Sequence, residues 1–246
     1  MALGTLRIKK LAWLSTHPSA WPDLRNSGTV PAVEHIGLIR RTAPDLVLDA
    51  GANRGQFSLA VRRATRGAQI IAFEPLDSAA DLLAETFRDD DRFTLRRVAL
   101  GAELATAEMQ VTASDDSSSL LQVGSTQIDL FPTSRVVDTQ EVSVTTLDEE
   151  LADVQLLNRT MLKIDVQGGE FALLKGARKS LQAIRHIYVE LSFVDLYVGQ
   201  SLASEVVAWL AEEGFELVDV ENLTRARQRE AVQADFLFER TTKETK

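Results

Sequence analysis

Short apolar runs separated by longer segments of helical periodicity dominate the chain from residue 46 onward. Runs at 46–49, 69–74, 93–98, 161–166, 186–191, 215–220 and 234–239 predict strands. Apolar positions at three- and four-residue spacing predict amphipathic helices at 56–65, 77–88, 170–182 and 201–213. Alternation of this kind predicts an α/β fold: a seven-stranded, mostly parallel sheet with helices on both faces. The connector between the last two runs is rich in Arg, Gln, Asn and Glu and lacks the apolar periodicity of a crossover helix. It therefore predicts an antiparallel hairpin closing the sheet. Between the third and fourth runs lies a polar insert, about 105–153, with strand-like runs at 109–111 and 142–145 around Asp115-Asp116-Ser117-Ser118-Ser119.

Ahead of the first strand the pattern changes. Leu3, Leu6, Ile8, Leu11 and Leu14 suggest a first helix, broken by His17-Pro18 and Trp21-Pro22, and a second helix is predicted over 31–41 with Pro31 at its start. The division is thus an N-terminal helical extension, 1–44, and a main domain, 45–246. The first helix is basic and carries a Trp, but is too short and too weakly charged for a dedicated membrane anchor. It is expected to pack on its own domain or on a sister subunit in a homodimer.

Composition narrows the function classes. The chain has 246 residues, 45% hydrophobic and 26% charged, as in ordinary soluble enzymes. A net charge of −9 and a pI near 5.0 argue against a broad nucleic-acid footprint. The absence of cysteine excludes disulfides and thiolate chemistry, and His17, His35 and His186 are too scattered for a histidine metal cage. No apolar run approaches the roughly 20 residues needed to span a bilayer, and no signal-peptide cleavage pattern stands out. A cytoplasmic location is expected.

The candidate chemistry starts at Leu46-Val47-Leu48-Asp49-Ala50-Gly51-Ala52-Asn53-Arg54-Gly55. A buried strand here delivers a carboxylate and a backbone loop whose glycines allow close approach to a ligand. The second strand ends in Glu74, where a carboxylate meets the hydroxyls of a bound ribose. Together they imply an adenosine-bearing ligand. The G-x-G-x-x-G dinucleotide fingerprint is missing, which disfavours a pyrophosphate and suits the amino-acid end of S-adenosylmethionine (SAM). Asp49 would bind the ligand ammonium or brace the loop.

The chain resembles the FkbM family of SAM-dependent methyltransferases. The matching segments are Glu34-His35, Asp49 to Ser58, Phe73-Glu74-Pro75, Val98-Ala99-Leu100-Gly101, Ser117 to Leu120, Thr146-Leu147-Asp148, Leu162 to Glu170, Leu174 to Ala177, Val189 to Phe193 and Asp235 to Phe238. The resemblance implies a Rossmann-like class I fold and methyl transfer from SAM, usually to a hydroxyl oxygen of a sugar, glycan or natural-product intermediate. It places the cofactor on Asp49, Gly51, Asn53, Gly55, Phe57, Ser58, Glu74, Ala99 and Ser118. The acceptor is expected near His35 and Gln167, which lie in matching segments, and near Tyr197, which follows the fifth strand and would either stack on a sugar ring or pack against the next helix. Gln167 departs from many relatives, which carry Glu there.

Methyl transfer also requires removal of a proton from the acceptor hydroxyl, by a base or by a metal that acidifies it. Asp165 and Glu190 at strand ends, with Glu170 at the next helix start, are the candidate catalytic acids. Asp165 and Glu190 are also candidate oxygen ligands for Mg2+. Helix capping is the competing role for Asp165, and a favourable helix-start charge for Glu170. Two other functions share parts of the pattern: an NAD-dependent oxidoreductase, which wants a third loop glycine, and a non-catalytic SAM-binding interaction protein.

Overall fold

The computed structural model describes residues 28–114, 117–226 and 230–241. The predicted first helix, His17, Asp115 and Asp116 lie outside those residues. Strands are β1 (Leu46–Ala50), β2 (Gln69–Phe73), β3 (Phe93–Arg96), β4 (Ala99–Leu100), β5 (Ala105–Thr112), β6 (Val136–Thr145), β7 (Thr160–Ile164), β8 (His186–Ser192), β9 (Phe215–Ala226) and β10 (Glu230–Arg240). Helices are α1 (Ile36–Thr42), α2 (Gln56–Ala64), α3 (Asp77–Thr86), α4 (Ser125–Leu130), α5 (Leu147–Glu150), α6 (Glu170–Lys175) and α7 (Ala203–Glu212).

The main sheet has seven strands in the order β3-β2-β1-β7-β8-β10-β9. β10 alone runs against its neighbours, pairing antiparallel with both β8 and β9. Strand order therefore reverses between β1 and β7, the crevice where open α/β sheets hold ligands. Because side chains alternate across a strand, β1 feeds two cores. Leu46, Leu48 and Ala50 pack with α6 and α7, while Val47 joins α1 and α2. All five β1 residues are buried. Each fully buried aliphatic side chain contributes roughly 1.5–3 kcal/mol, which anchors the strand whose end carries the ligand loop.

The insert forms its own three-stranded sheet, β4-β6-β5. Its strands are longer than their apolar runs predict, and α4 is an addition, because backbone pairing between β5 and β6 sustains polar positions that apolar patterning does not reveal. The predicted strand 93–98 ends at Arg96 in the main sheet, and Ala99–Leu100, just beyond the predicted run, pair with β6. The predicted helix 170–182 also breaks. Gly176 lies so close to the insert that a Cβ there would stand 2.1 Å from the carbonyl oxygen of Gly101. α6 ends at that crossing, and a 3-10 turn at Ser180–Ala183 resumes the path. The closing hairpin is as predicted in sense but extends through the polar connector.

Candidate active site

The β1 strand ends in a turn with its amides turned back onto the neighbouring strand: Gly51 and Ala52 N–H both donate to the Phe73 carbonyl, each at 3.1 Å. Gly51 has φ +71°, and a Cβ there would lie 1.8 Å from the Asp165 carbonyl oxygen. Only glycine lets the β1 and β7 ends touch in this way. Asn53 is also left-handed, φ +49°, and its N–H donates to Glu74 Oε2 at 2.8 Å. The other Glu74 oxygen accepts from Leu76 N–H at 2.9 Å. Burial pushes the Glu74 carboxyl up to about 7, although both amides work in the opposite direction. Each oxygen retains acceptor capacity beyond its one amide.

Beneath the loop lies a buried ion pair. Asp49 stands opposite Lys163 in the β1–β7 register, and Lys163 Nζ is 3.2 Å from Asp49 Oδ1. The same ammonium donates to the carbonyls of Gly51 at 2.8 Å and Ala50 at 3.3 Å. Ser58 Oγ donates to Asp49 Oδ2 at 2.7 Å. Burial disfavours the charged lysine, but Asp49 and Asp165 outweigh it and hold its pKa above the ordinary value. Asp49 is fully buried and braces the loop from below.

Two clefts open to solvent on either side of the loop. The first, about 670 Å³, is lined by Glu74, Leu76, Leu100, Met109, Ser118 and Leu120 among others. The second, about 810 Å³, is lined by Glu34, His35, Phe57, Tyr188, Glu190 and Asp235 among others. Gly51, Asn53 and Asp165 line both clefts and form the partition between them.

Asp165 begins a left-handed turn in which Gln167 has φ +54°. Gln167 Nε2 donates to Asp165 Oδ1 at 2.6 Å and reaches Glu190 Oε2 at 3.5 Å, while its Oε1 accepts from Tyr197 OH at 2.6 Å. An amide here bridges two acids that another carboxylate would repel. Ser119 Oγ donates to the Gln167 carbonyl at 2.6 Å, tying the insert to this turn. Glu190 is raised well above the ordinary carboxylate range by burial and by Asp165, Asp235 and Glu170, against a hydrogen bond from Gln233. Asp235 stands directly opposite Glu190 across the β8–β10 pair. Like charges so placed destabilise a sheet, and both side chains line the second cleft.

Gly51, Asn53, Glu74, Ala99, Ser118, Asp165 and Gln167 line the first cleft. His35, Phe57 and Glu190 line the second, again with Gly51, Asn53 and Asp165. Asp49, Gly55, Ser58, Glu170 and Tyr197 line neither. Gly55 packs on α3, where a Cβ would come within 2.6 Å of Leu83, and Tyr197 packs over Gly168 and holds Gln167. The magnesium expectation finds no support: among the described residues no group of three or more His, Cys, Asp or Glu could hold a metal. Between Asp165 and Glu190 stands the Gln167 amide, a donor where a cation would need acceptors.

Glu170 turns into its own loop. Its Oε1 accepts from Gly168 N–H at 2.9 Å and Val166 N–H at 3.3 Å, and burial pushes its carboxyl up to about 7. A pKa raised on folding adds stability below the unfolded value and loses it as pH rises through about 7. Glu170→Gln keeps an acceptor for both amides and removes the titration. The variant is expected to match wild type near pH 4.5 and to exceed it at pH 8 by up to about 3 kcal/mol, read by urea unfolding at both pH values. A variant no more stable than wild type at pH 8 would contradict this structural role.

The site also draws on Lys163, Tyr188, Asn222 and Asp235, which strand-end spacing does not single out. Lys163 and Asp235 had a signal, a charge inside a run that must be buried. Asn222 had none, since its place depends on hairpin register.

A parallel sheet with one antiparallel strand beside its edge and ligand clefts at the β1/β7 reversal defines a Rossmann-like class I methyltransferase fold. Residues 49–217, more than half of the chain, match the family model for the methyltransferase FkbM domain. The chain belongs to the FkbM methyltransferase family, and the family implies SAM as methyl donor. It is 26% identical over 189 residues to the 2-O-methyltransferase NoeI of Sinorhizobium fredii, covering 74% of this chain and 76% of that protein. Among solved structures it is similar to a putative O-methyltransferase from Klebsiella pneumoniae (TM-score 0.49, 14% identity, 85% of this chain and 79% of that one). It is also similar to an rRNA methylase from Streptococcus thermophilus (TM-score 0.47, 9% identity, 84% and 94%). These structural likenesses are too distant to bear on substrate. No helix among the described residues is long and apolar enough to cross a membrane.

Proposed function

We propose that this protein transfers the SAM methyl group to a hydroxyl oxygen of a sugar, glycan or hydroxylated natural-product intermediate. The observation that carries the reading is the pair of clefts meeting at a partition of Gly51, Asn53 and Asp165. Glu74 lines the first cleft with acceptor capacity for ribose hydroxyls, and Leu100 and Met109 line the same cleft with apolar surface that suits an adenine ring. Asn53 Oδ1 is a buried acceptor with no hydrogen-bond partner, which fits a ligand donor such as an ammonium. SAM supplies an electrophilic methyl on a sulfonium, and the residues' task is to hold an acceptor oxygen in line with it. The second cleft offers Glu34, Asp165, Glu190 and Asp235, acceptors and donors for a polyhydroxyl or amine-bearing ligand. The name of the relative NoeI supports oxygen as the methylated atom.

The test is calorimetry with S-adenosylhomocysteine, followed by incubation of protein and methyl-labelled SAM with glycan, small-molecule and RNA fractions. The expected results are stoichiometric binding and an ether methyl in a hydroxylated small molecule or glycan. A folded protein that does not bind, or label in RNA or on nitrogen, would overturn the proposal. Binding without any transfer would favour a SAM-binding interaction protein.

A further inference from the structure

The second cleft contains a hydrogen-bonded chain that methyl-donor binding does not use. Asn222 Nδ2 donates to Asp235 Oδ2 at 2.7 Å, and Tyr188 OH donates to the same oxygen at 3.0 Å. His35 Nδ1 lies 2.9 Å from that hydroxyl. A phenol has one proton. With that proton on Asp235, the 2.9 Å contact is a hydrogen bond only if Nδ1 carries the hydrogen, which leaves Nε2 as the basic nitrogen.

Resting on the methyl-transfer reading, we infer that His35 Nε2 takes the proton of the acceptor hydroxyl, with Tyr188, Asp235 and Asn222 fixing its tautomer. As the acceptor oxygen bonds to the methyl carbon, the carbon–sulfur bond breaks, its electron pair stays on sulfur, and the hydroxyl proton moves to Nε2. The sulfonium becomes a neutral thioether and the neutral imidazole an imidazolium, so charge balances. Glu34 Oε1, 4.0 Å from Nε2, and Asp235 Oδ2, 3.9 Å from Nδ1, face that cation. Lys163, Asp165 and Glu190 complete the charged groups of the cleft wall.

Three further observations support the assignment. The ring is held by Phe57 and by the edge-on ring of Tyr188, each with centroids 5.5 Å away. Burial and Asp235 push the Tyr188 hydroxyl further above its ordinary pKa, so it stays a proton carrier and not an anion. Asn222 sits at φ +51° inside the long β9, a conformation that aims its amide at Asp235 and that asparagine tolerates better than most residues. Burial raises both Asp235 and Glu190, but Asp235 is opposed by hydrogen bonds from Asn222 and Tyr188, whereas Glu190 is raised further by Asp165 and Asp235 and its Oε1 already accepts from Gln233 Nε2 at 2.6 Å.

The experiment is long-range nitrogen–proton NMR of the imidazole rings in labelled full-length protein at pH 8.5. His35 is assigned by its loss in His35→Gln, and S-adenosylhomocysteine binding is measured on the same samples. The expected wild-type pattern is Nδ1–H with an unprotonated Nε2, inverted to Nε2–H in Tyr188→Phe while His186 is unmoved. Asp235→Asn reads the same relay should Tyr188→Phe fail to fold. An Nε2–H ring in a wild-type protein that binds the nucleoside overturns the inference and leaves the methyl-transfer reading standing. A sample that does not bind the nucleoside overturns that reading instead. An Nδ1–H ring unmoved by both variants overturns the relay. With an acceptor in hand, His35→Gln is expected to lower kcat about 100- to 10,000-fold with little change in KM for SAM.

Discussion

Glu74→Ala is expected to raise the Kd for SAM at least about 100-fold, the equivalent of about 2.7 kcal/mol or more, while the protein remains folded. The side chain is only 5% exposed and lines the first cleft just past the β2 end, where the proposed function has it accept from ribose hydroxyls. Hydrogen bonds to a charged group contribute roughly 1.5–3 kcal/mol each. The truncation also strips Asn53 N–H and Leu76 N–H of their acceptor, loosening the loop that forms the partition. Glu74→Gln should fall between the two, because an amide keeps one acceptor oxygen and turns the other position into a donor. The same group predicts a pH dependence. With its carboxyl near 7 in the ligand-free protein, it is charged above that pH and protonated below. Ligand hydroxyls favour the charged form, so affinity should weaken as pH falls from 8 through about 7 toward 6. Folding runs the other way: this raised carboxyl adds stability below its unfolded value and loses it as pH rises through about 7. Calorimetric titrations across that range separate the two, and a Glu74→Ala protein binding SAM like wild type would exclude Glu74 from the site.

Lys163→Met is expected to destabilise the fold by about 3–5 kcal/mol, the usual cost of leaving one member of a buried pair alone. For a chain of this size that corresponds to a fall in Tm of roughly 6–20 °C. Asp49 is completely buried, so loss of the ammonium leaves a carboxylate with Ser58 as its remaining hydrogen-bond donor. The carbonyls of Ala50 and Gly51 lose a donor as well. The double substitution Asp49→Leu with Lys163→Met removes both charges and should recover part of the lost stability, since apolar replacement of a whole buried pair is often neutral. Urea unfolding of the single and double variants measures this. A single variant within about 0.5 kcal/mol of wild type, the ordinary range for surface substitutions, would mean that the pair does not carry the loop.

Much of the architecture was legible because β1, β2, β7 and β8 are buried on both faces and show as apolar runs, and because the helices between them keep one apolar face. The ligand loop was legible for a related reason: Asp49, Gly51 and Glu74 all fall at strand ends, which sequence spacing marks. What Asp49 does there was not. Its partner Lys163 is distant in sequence and becomes a neighbour only when β7 pairs with β1. The end of α6 was hidden because Gly176 meets Gly101 across the insert, a contact no helical periodicity encodes. Glu170 looked catalytic by position, yet its carboxylate is taken by amides two and four residues before it. The chain from His35 to Asn222 joins four separated segments, and only the closing hairpin brings Asn222 and Asp235 to the histidine.

The partition at Gly51, Asn53 and Asp165 has a bearing on kinetic order. Gly51, Asn53 and Asp165 line both clefts, and Ser119, bonded to the Gln167 carbonyl, ties the insert to the turn beside them. For the proposed reaction, a donor in the first cleft and an acceptor in the second are expected to bind without either covering the other, so that the spent thioether departs while the methylated product is still bound. Initial-rate patterns would be those of random addition, with neither product obliged to leave first. An acceptor long enough to protrude from its own mouth, such as a growing glycan, would leave exchange of the methyl donor unimpeded.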